Sequence, residues 1–266
     1  MLSRYLILAI TFLLAPLTTA YAQLAERPST CLAMAQSLPR VIYANFRVAA
    51  AGDEVKITYA GHSTYVIETP AGVRIATDFS GYFGSDPLPD VVTMNKAHST
   101  HHTLYPDPAI KHVLQGWGSE EEPAKHSLVV EDVYIRNVTT DIRRFGYAEK
   151  DGNSIFIFEV AGLCIGHLGH LHHPLDNSHY AAIGRLDVLM VPIDGGLTMS
   201  LENMSEITRR LSSSIVLPMH RNATPLSAFT SRMDNEFDLD FRDSPSLTVS
   251  MRNLPRRPTV VILQGV

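Results

Sequence analysis

The residues with the most obvious chemical capacity lie in the segment Thr93-Met-Asn-Lys-Ala-His98-Ser-Thr-His101-His102. There an apolar run, Asp90-Val-Val-Thr-Met94, breaks into a polar, histidine-dense stretch, the pattern of a buried strand that delivers side chains to a site at its end. The imidazoles of His98 and His101, three residues apart, are placed to converge on one ion. Two further apolar runs end in the same way. Residues 163–165 lead into His167, His170, His172 and His173, and residues 215–217 lead to His220. Three strands that end in histidine are more than a random scatter of 12 histidines would usually give. Neutral imidazole suits zinc and the neighbouring transition metals, and three or four such ligands beside an open position make a hydrolytic centre. Such an ion lowers the pKa of water towards about 7 and polarises the scissile bond.

Strands must carry these ligands, and the chain predicts them. Residues 55–59 and 63–69 alternate, Pro70-Ala71-Gly72 makes a turn, and residues 73–77 follow, which predicts an antiparallel meander. Residues 91–94 and 112–114 are short apolar strands. Residues 128–130, 134–138, 154–160 and 163–165 form a second group, with turns at Asp151-Gly152-Asn153 and Ala161-Gly162. The rhythm then becomes strand, helix, strand over 188–191, 201–211 and 215–217. Leu201, Met204, Ile207, Thr208 and Leu211 share one helical face, and Ser200 is placed to cap its start. A helix between two strands of one sheet predicts that they run parallel. Repeated strand groups with covering helices predict an α+β chain of two sheets packed face to face with helices outside.

The ends and the composition set bounds. Arg4, the apolar stretch from Tyr5 to Leu17 and the Ala20-Tyr21-Ala22 pattern read as a secretory signal peptide over residues 1–22, so a periplasmic or secreted location is expected. The apolar stretch is shorter than the roughly 20 residues a membrane-spanning helix needs. Residues 23–266 are expected to form a single domain with a substantial core, since no low-complexity linker divides them. A formal net charge of -5 gives neither a nucleic-acid footprint nor an anionic-membrane patch. A short amphipathic segment over 31–38 precedes the strands. With two cysteines the chain is no disulfide scaffold; Cys164, in an apolar run, reads as a buried small hydrophobe, and a bridge to Cys31 stays open in an oxidising compartment.

Several ordered motifs carry a family resemblance. Gly61-His62-Ser63-Thr64 with Tyr65-Val-Ile-Glu68, then Ile75-Ala-Thr-Asp78, then the His98 loop, resembles the metallo-β-lactamase fold superfamily. The branch it most resembles contains the ascorbate-phosphate lactonase and the N-acylphosphatidylethanolamine-hydrolysing phospholipase D. Gly166-His167-Leu-Gly169-His170, Asp187 to Pro192 with Gly195-Gly196, and Val216-Leu-Pro-Met-His220 follow the later motifs in order, so that the resemblance covers about residues 55–220. It implies an αββα sandwich of two mixed β-sheets. The family loop reads His-x-His-x-Asp-His, whereas this chain has Lys96, His98, Thr100 and His101 at those positions. His170 stands where the family has a metal-bridging Asp, and a further family histidine falls near Thr140-Asp141. A rival register that starts the motif at His98 puts Thr100, His102 and Thr103 at the other positions and keeps fewer ligands.

The resemblance therefore implies a mononuclear rather than a dinuclear centre. An ammonium at Lys96 disfavours a second dication nearby, and loss of the bridging carboxylate removes the charge that lets two cations sit close together. His98, His101, His170 and His220 are the expected metal ligands, with zinc the expected ion, iron or manganese the alternatives, and His172 or Asp141 in reserve. Lys96 and Asp141 are the candidate catalytic residues, Lys96 steadying developing negative charge or merely filling a vacated metal position. His62 reads as a structural residue beside the site, hydrogen-bonding a loop; Asp78 reads as a support of the His98 loop, and Asp194 as a turn residue. The expected function is an exported metal-dependent hydrolase acting on a small-molecule ester, lactone or phosphodiester. The alternative is a catalytically decayed relative serving as a periplasmic binding or scaffold protein.

Overall fold

A computed structural model describes residues 29–32, 52–119, 121–144 and 146–266. The signal-like segment 1–22 and most of the amphipathic segment 31–38 lie outside the described residues. Strands β1 (Val55–Gly61), β2 (Thr64–Glu68), β3 (Arg74–Ala76), β4 (Val91–Met94) and β5 (His112–Gln115) open the chain. β6 (Ser127–Val130), β7 (Val133–Arg144), β8 (Tyr147–Val160) and β9 (Leu163–His167) follow. Next come helix α1 (Asn177–Ile183), β10 (Val188–Pro192), α2 (Leu201–Leu211), β11 (Ile215–Met219) and α3 (Leu226–Thr230). β12 (Asp238–Phe241), β13 (Ser246–Val249) and β14 (Thr259–Ile262) close the fold.

The strands form two mixed sheets. One has the order β13-β1-β2-β3-β4-β5, the other β12-β14-β11-β10-β9-β8-β7-β6. The expected meander is there, with β1, β2 and β3 antiparallel in succession. The strands flanking α2 run parallel, Val188 opposite Ile215, as the strand-helix-strand pattern requires. Ser200 caps α2 by accepting from the Asn203 N–H.

The sheets pack face to face because alternate residues of their strands are apolar. Ile57, Tyr65, Ile67 and Ile75 of the first sheet meet Phe156, Phe158, Ile165, Met190 and Leu217 of the second. On the outer face of the second sheet, Ile155, Ile157, Leu189 and Val216 pack with Ile183, Met204, Ile207 and Phe229 of the three helices. The outer face of the first sheet is covered by Phe79 and Ile110, which pack on Val66, Val92 and Met94. This is the expected α+β sandwich of two mixed sheets, with the helices of the described residues on the outer face of the second sheet and loops over the first. Among the described residues no helix is long and apolar enough to cross a membrane.

Two expectations need correction. Asp151-Gly152-Asn153 is not a turn but lies inside β8, which runs from Tyr147 opposite β7. The turn signal makes a bulge instead: the register shifts between Thr140 and Ile142, Asp151 has a left-handed φ of 52°, and a Cβ at Gly152 would stand 2.6 Å from Ile142. Second, Cys164 is buried but not a free thiol, because it forms a disulfide with Cys31. Residues 29–32 are held there by Glu159 as well, whose carboxylate accepts from the Ser29 hydroxyl, the Thr30 N–H and the Arg136 guanidinium.

Candidate metal centre

The parallel strands β3, β4, β9, β10 and β11 set their C-terminal ends along one edge of the sandwich, and the loops that leave them carry the polar side chains. β3 leads to Asp78, β4 to Asn95, His98 and His101, β9 to His170, β10 to Asp194 and β11 to His220. His62 joins them from the β1–β2 turn. A register shift between Tyr59 and Gly61 and a left-handed φ of 51° at His62 aim its ring at that edge. The His220 N–H donates to the His62 carbonyl at 2.7 Å, which ties the loops of the two sheets together.

Five imidazoles meet there. The His62 ring centroid lies 4.3 Å from His220 and 5.1 Å from His101, and His101 lies 5.0 Å from His220. His170 stands edge-on to His101, His220 and His98 at 4.6, 4.9 and 4.7 Å. One ring nitrogen from each of His62, His101 and His220 falls within 4.8 Å of the other two.

A second layer of carboxylates orients these rings. Asp78 Oδ2 lies 2.7 Å from His101 Nδ1, and Asp78 Oδ1 accepts from the Asn95 amide at 2.7 Å. Burial works to raise the Asp78 carboxyl, but His101, His167 and the Asn95 bond outweigh it and hold the group below its ordinary value. The ionised carboxylate fixes the His101 proton on Nδ1 and leaves Nε2 as a bare lone pair, buried and without a hydrogen-bond partner. Asp194 plays the same part for His220 less directly. Its Oδ2 is 3.4 Å from His220 Nδ1, an electrostatic contact rather than an aligned hydrogen bond, and His220 Nδ1 has no hydrogen-bond partner. Burial again works to raise the Asp194 carboxyl; His220 and the N–H groups of Thr198 and Gly196 outweigh it.

Desolvation lowers the pKa of three rings in and beside the cluster. His62 is pushed down to about 4, first by burial and then by His220 and His101. Burial also lowers His170, and it takes His172 to about 4 with help from Arg143. Clustered imidazoles backed by two carboxylates, with buried ring nitrogens that no other group of the protein engages, are a donor set that fits a borderline divalent metal.

The sequence candidates fall into distinct places. His101, His170 and His220 are buried in the cluster, and His98 stands exposed at its mouth. Lys96 forms an ion pair with Glu149 of β8. Asp141 is exposed and accepts from the Asp151 N–H at 3.0 Å, where it supports the β7–β8 bulge. His172 takes the Arg143 N–H on Nδ1 and lies 2.6 Å from His170 Nδ1 through Nε2. His167 is structural, bonded to the Ser63 carbonyl and the Gly169 N–H. Thr140, near the family's missing histidine, accepts from the Asn153 amide. His62 hydrogen-bonds Thr100 of the His98 loop at 3.2 Å, the role expected of it. It also belongs to the trio, which sequence reasoning passed over. The signal was available, since His62 follows a strand as the other cluster histidines do.

Residues 56–220 match the profile of the beta-lactamase superfamily domain. The fold is similar to that of a protein of Thermotoga maritima assigned as a Zn-dependent hydrolase of the metallo-beta-lactamase superfamily. The two share 27% identity over 79% of this chain and 98% of that one, with a TM-score of 0.55. A protein of Parabacteroides distasonis assigned as a metal-dependent hydrolase shares the fold at 15% identity over 68% of this chain and 89% of its own, with a TM-score of 0.54. No curated protein matches the chain significantly by sequence.

Proposed function

Because this chain belongs to the beta-lactamase superfamily, we propose that its histidine cluster holds one divalent metal ion and that the protein is an exported metal-dependent hydrolase. His62, His101 and His220 would hold the ion, and zinc is the ion such a set favours. The observation that carries this reading is the convergence of those three rings within 4.8 Å, with the His101 Nε2 lone pair bare and backed by Asp78. Bound there, the ion supplies Lewis acidity for hydrolysis of an ester, lactone or phosphodiester.

The chain's own residues do the rest. Asp78 holds the proton of His101 on Nδ1, so that ring presents the same nitrogen throughout turnover. Asp194 places a negative charge behind His220 and offsets the positive charge gathered at the site. Lys96 stands in the sequence where the family loop has a metal-binding histidine, and its ammonium is paired with Glu149, so that position offers no ligand for a second ion and one ion is favoured over two. His98, exposed at the mouth beside His170, is placed to meet the small-molecule substrate.

Export is supported by the signal-like start of the chain and by the Cys31–Cys164 disulfide, a bond that persists in oxidising compartments. Mass spectrometry of the cell-envelope fraction would then find a mature chain that begins after Ala22. Metal content decides the central claim. The purified protein is expected to carry about one equivalent of zinc or a similar metal, and His101→Ala and His220→Ala to carry almost none. A wild-type chain that takes up no metal from any of these ions would end this reading.

A further inference from the structure

His170 is fully buried, and its Nε2 has no hydrogen-bond partner. Which nitrogen carries its proton follows from its neighbours. The Arg143 backbone N–H donates to His172 Nδ1, so that nitrogen must be the bare one. A neutral His172 therefore carries its proton on Nε2, 2.6 Å from His170 Nδ1, and donates it there. His170 Nδ1 thus accepts, and its own proton must sit on Nε2. Two hydrogen bonds in series, starting from a backbone N–H that cannot reverse, fix this tautomer.

The result is the opposite of His101. Asp78 makes His101 Nε2 a lone pair, whereas Arg143 and His172 make His170 Nε2 an N–H. A lone pair binds a cation; an N–H repels one and attracts an anion. The backbone around His170 is equally fixed. Its N–H donates to Asn153 at 2.7 Å, and Gly169 precedes it with φ of 62° in a space where a Cβ would meet Asn153 and Asn95 at 2.4 Å. A buried donor left without an acceptor is costly, and such an orphan at a site points to a partner that arrives with the ligand.

We propose that His170 is not a metal ligand but the donor that receives an anionic oxygen of the substrate, its Nε2–H held in place by the Arg143–His172–His170 relay. This deepens the metal-hydrolase reading and rests on it for the substrate's position, though not for the tautomer. It also names the substrate class: a molecule with a phosphate-like or carboxylate oxygen beside the scissile bond. The family position that elsewhere carries an acceptor for metals here presents a donor for oxyanions.

The test uses the full mature chain labelled with nitrogen-15. Ring proton–nitrogen correlations are expected to show His170 protonated on Nε2 both before and after one equivalent of zinc. A His170 Nε2 that loses its proton and shifts as a coordinated nitrogen on zinc addition overturns the proposal. Titration with inorganic phosphate is then expected to move the His170 Nε2–H signal downfield. His170→Gln, which keeps an N–H donor, should hold phosphate within about threefold of wild type, while His170→Ala weakens it roughly tenfold or more. Both variants should bind zinc as wild type does. Loss of zinc from both, or equal phosphate affinity in Gln and Ala variants, contradicts the assignment. His172→Phe removes the donor that fixes the tautomer, and its His170 should show a mixture of Nδ1–H and Nε2–H forms. A chain that takes up no zinc sinks the metal reading alone, because the tautomer and phosphate measurements on metal-free protein still decide the role of His170.

Discussion

Asp78 and His101 are both wholly buried, and the carboxylate lies 2.7 Å from the ring Nδ1. Asp78→Asn isolates what that contact does. Asn tolerates the left-handed φ of 44° at this position, so the backbone stays as it is. The amide no longer fixes the His101 proton on Nδ1, and the ring is free to present an N–H where a lone pair was. Zinc affinity, measured against a chromogenic chelator, should fall by about 10–100-fold. Unchanged affinity would separate Asp78 from any metal.

Binding of metal to the folded chain alone must raise its stability. At a zinc concentration about 100 times the dissociation constant, the gain is about 2.7 kcal/mol, which for a chain of this size raises Tm by roughly 5–10 °C. Thermal scans with zinc and with chelator should show that gap in the wild type and in Lys96→Ala, and no gap in His62→Ala or His220→Ala. If His62→Ala keeps the full gap while His98→Ala loses it, the ligand trio named above is wrong.

The fold was largely legible in the chain and the site only half so, for a physical reason. Alternation in residues 55–77 and the strand-helix-strand rhythm of 188–217 are local patterns, and β1–β3, β10, α2 and β11 follow them. The strand ends also flagged His98, His101, His170 and His220. What local pattern could not carry is which rings meet across the two sheets. His62 and His220 are far apart in sequence, and their 4.3 Å approach exists only because a bulge and two left-handed residues turn the loops inwards. The proton positions on His101 and His170 are likewise set by Asp78 and Arg143, partners that spacing does not reveal.

Acid should weaken the metal-free protein in a defined window. His62 and His172, both pushed down to about 4 chiefly by burial, bind no proton in the folded state between that value and the ordinary imidazole value of 6.5, but they do bind one when unfolded. Stability is therefore intact above about 6.5 and falls as pH drops towards 4. The slope is at most about 1.4 kcal/mol per pH unit for each group, with less from the half-exposed His62. The depressed carboxyls of Asp78 and Asp194 act lower, losing their contribution only below 3.8. Urea unfolding at pH 7, 6 and 5 should thus show a falling midpoint. A flat profile would mean that these rings are not held neutral.

The Cys31–Cys164 bridge closes a loop with a sequence separation of 133. Cross-linking so long a loop is worth about 3–5 kcal/mol through the entropy of the unfolded chain. Reduction, or the Cys31→Ala/Cys164→Ala pair, should lower Tm by roughly 10 °C. The Glu159 bonds to Ser29 and Thr30 remain in the folded state and soften the loss. An identical Tm with and without reductant would show that the bridge is not formed in the protein.

Gly169 bears on both the fold and the site. Its φ of 62° is in the left-handed region, and an added Cβ would stand 2.4 Å from both Asn153 Oδ1 and Asn95 Nδ2. Those atoms are already in use: Asn153 Oδ1 accepts the His170 N–H, and Asn95 Nδ2 donates to Asp78. A methyl group at Gly169 must therefore push on the support of His170 and on the support of His101 together. Gly169→Ala should cost about 2–4 kcal/mol, more than the loss of backbone freedom alone, because two buried hydrogen bonds are strained. It should also weaken zinc binding, although it changes no ligand. Chemical denaturation gives the first quantity and chelator competition the second. A variant that loses stability but keeps its zinc affinity would show that the Asn95–Asp78–His101 chain is not strained by the added methyl.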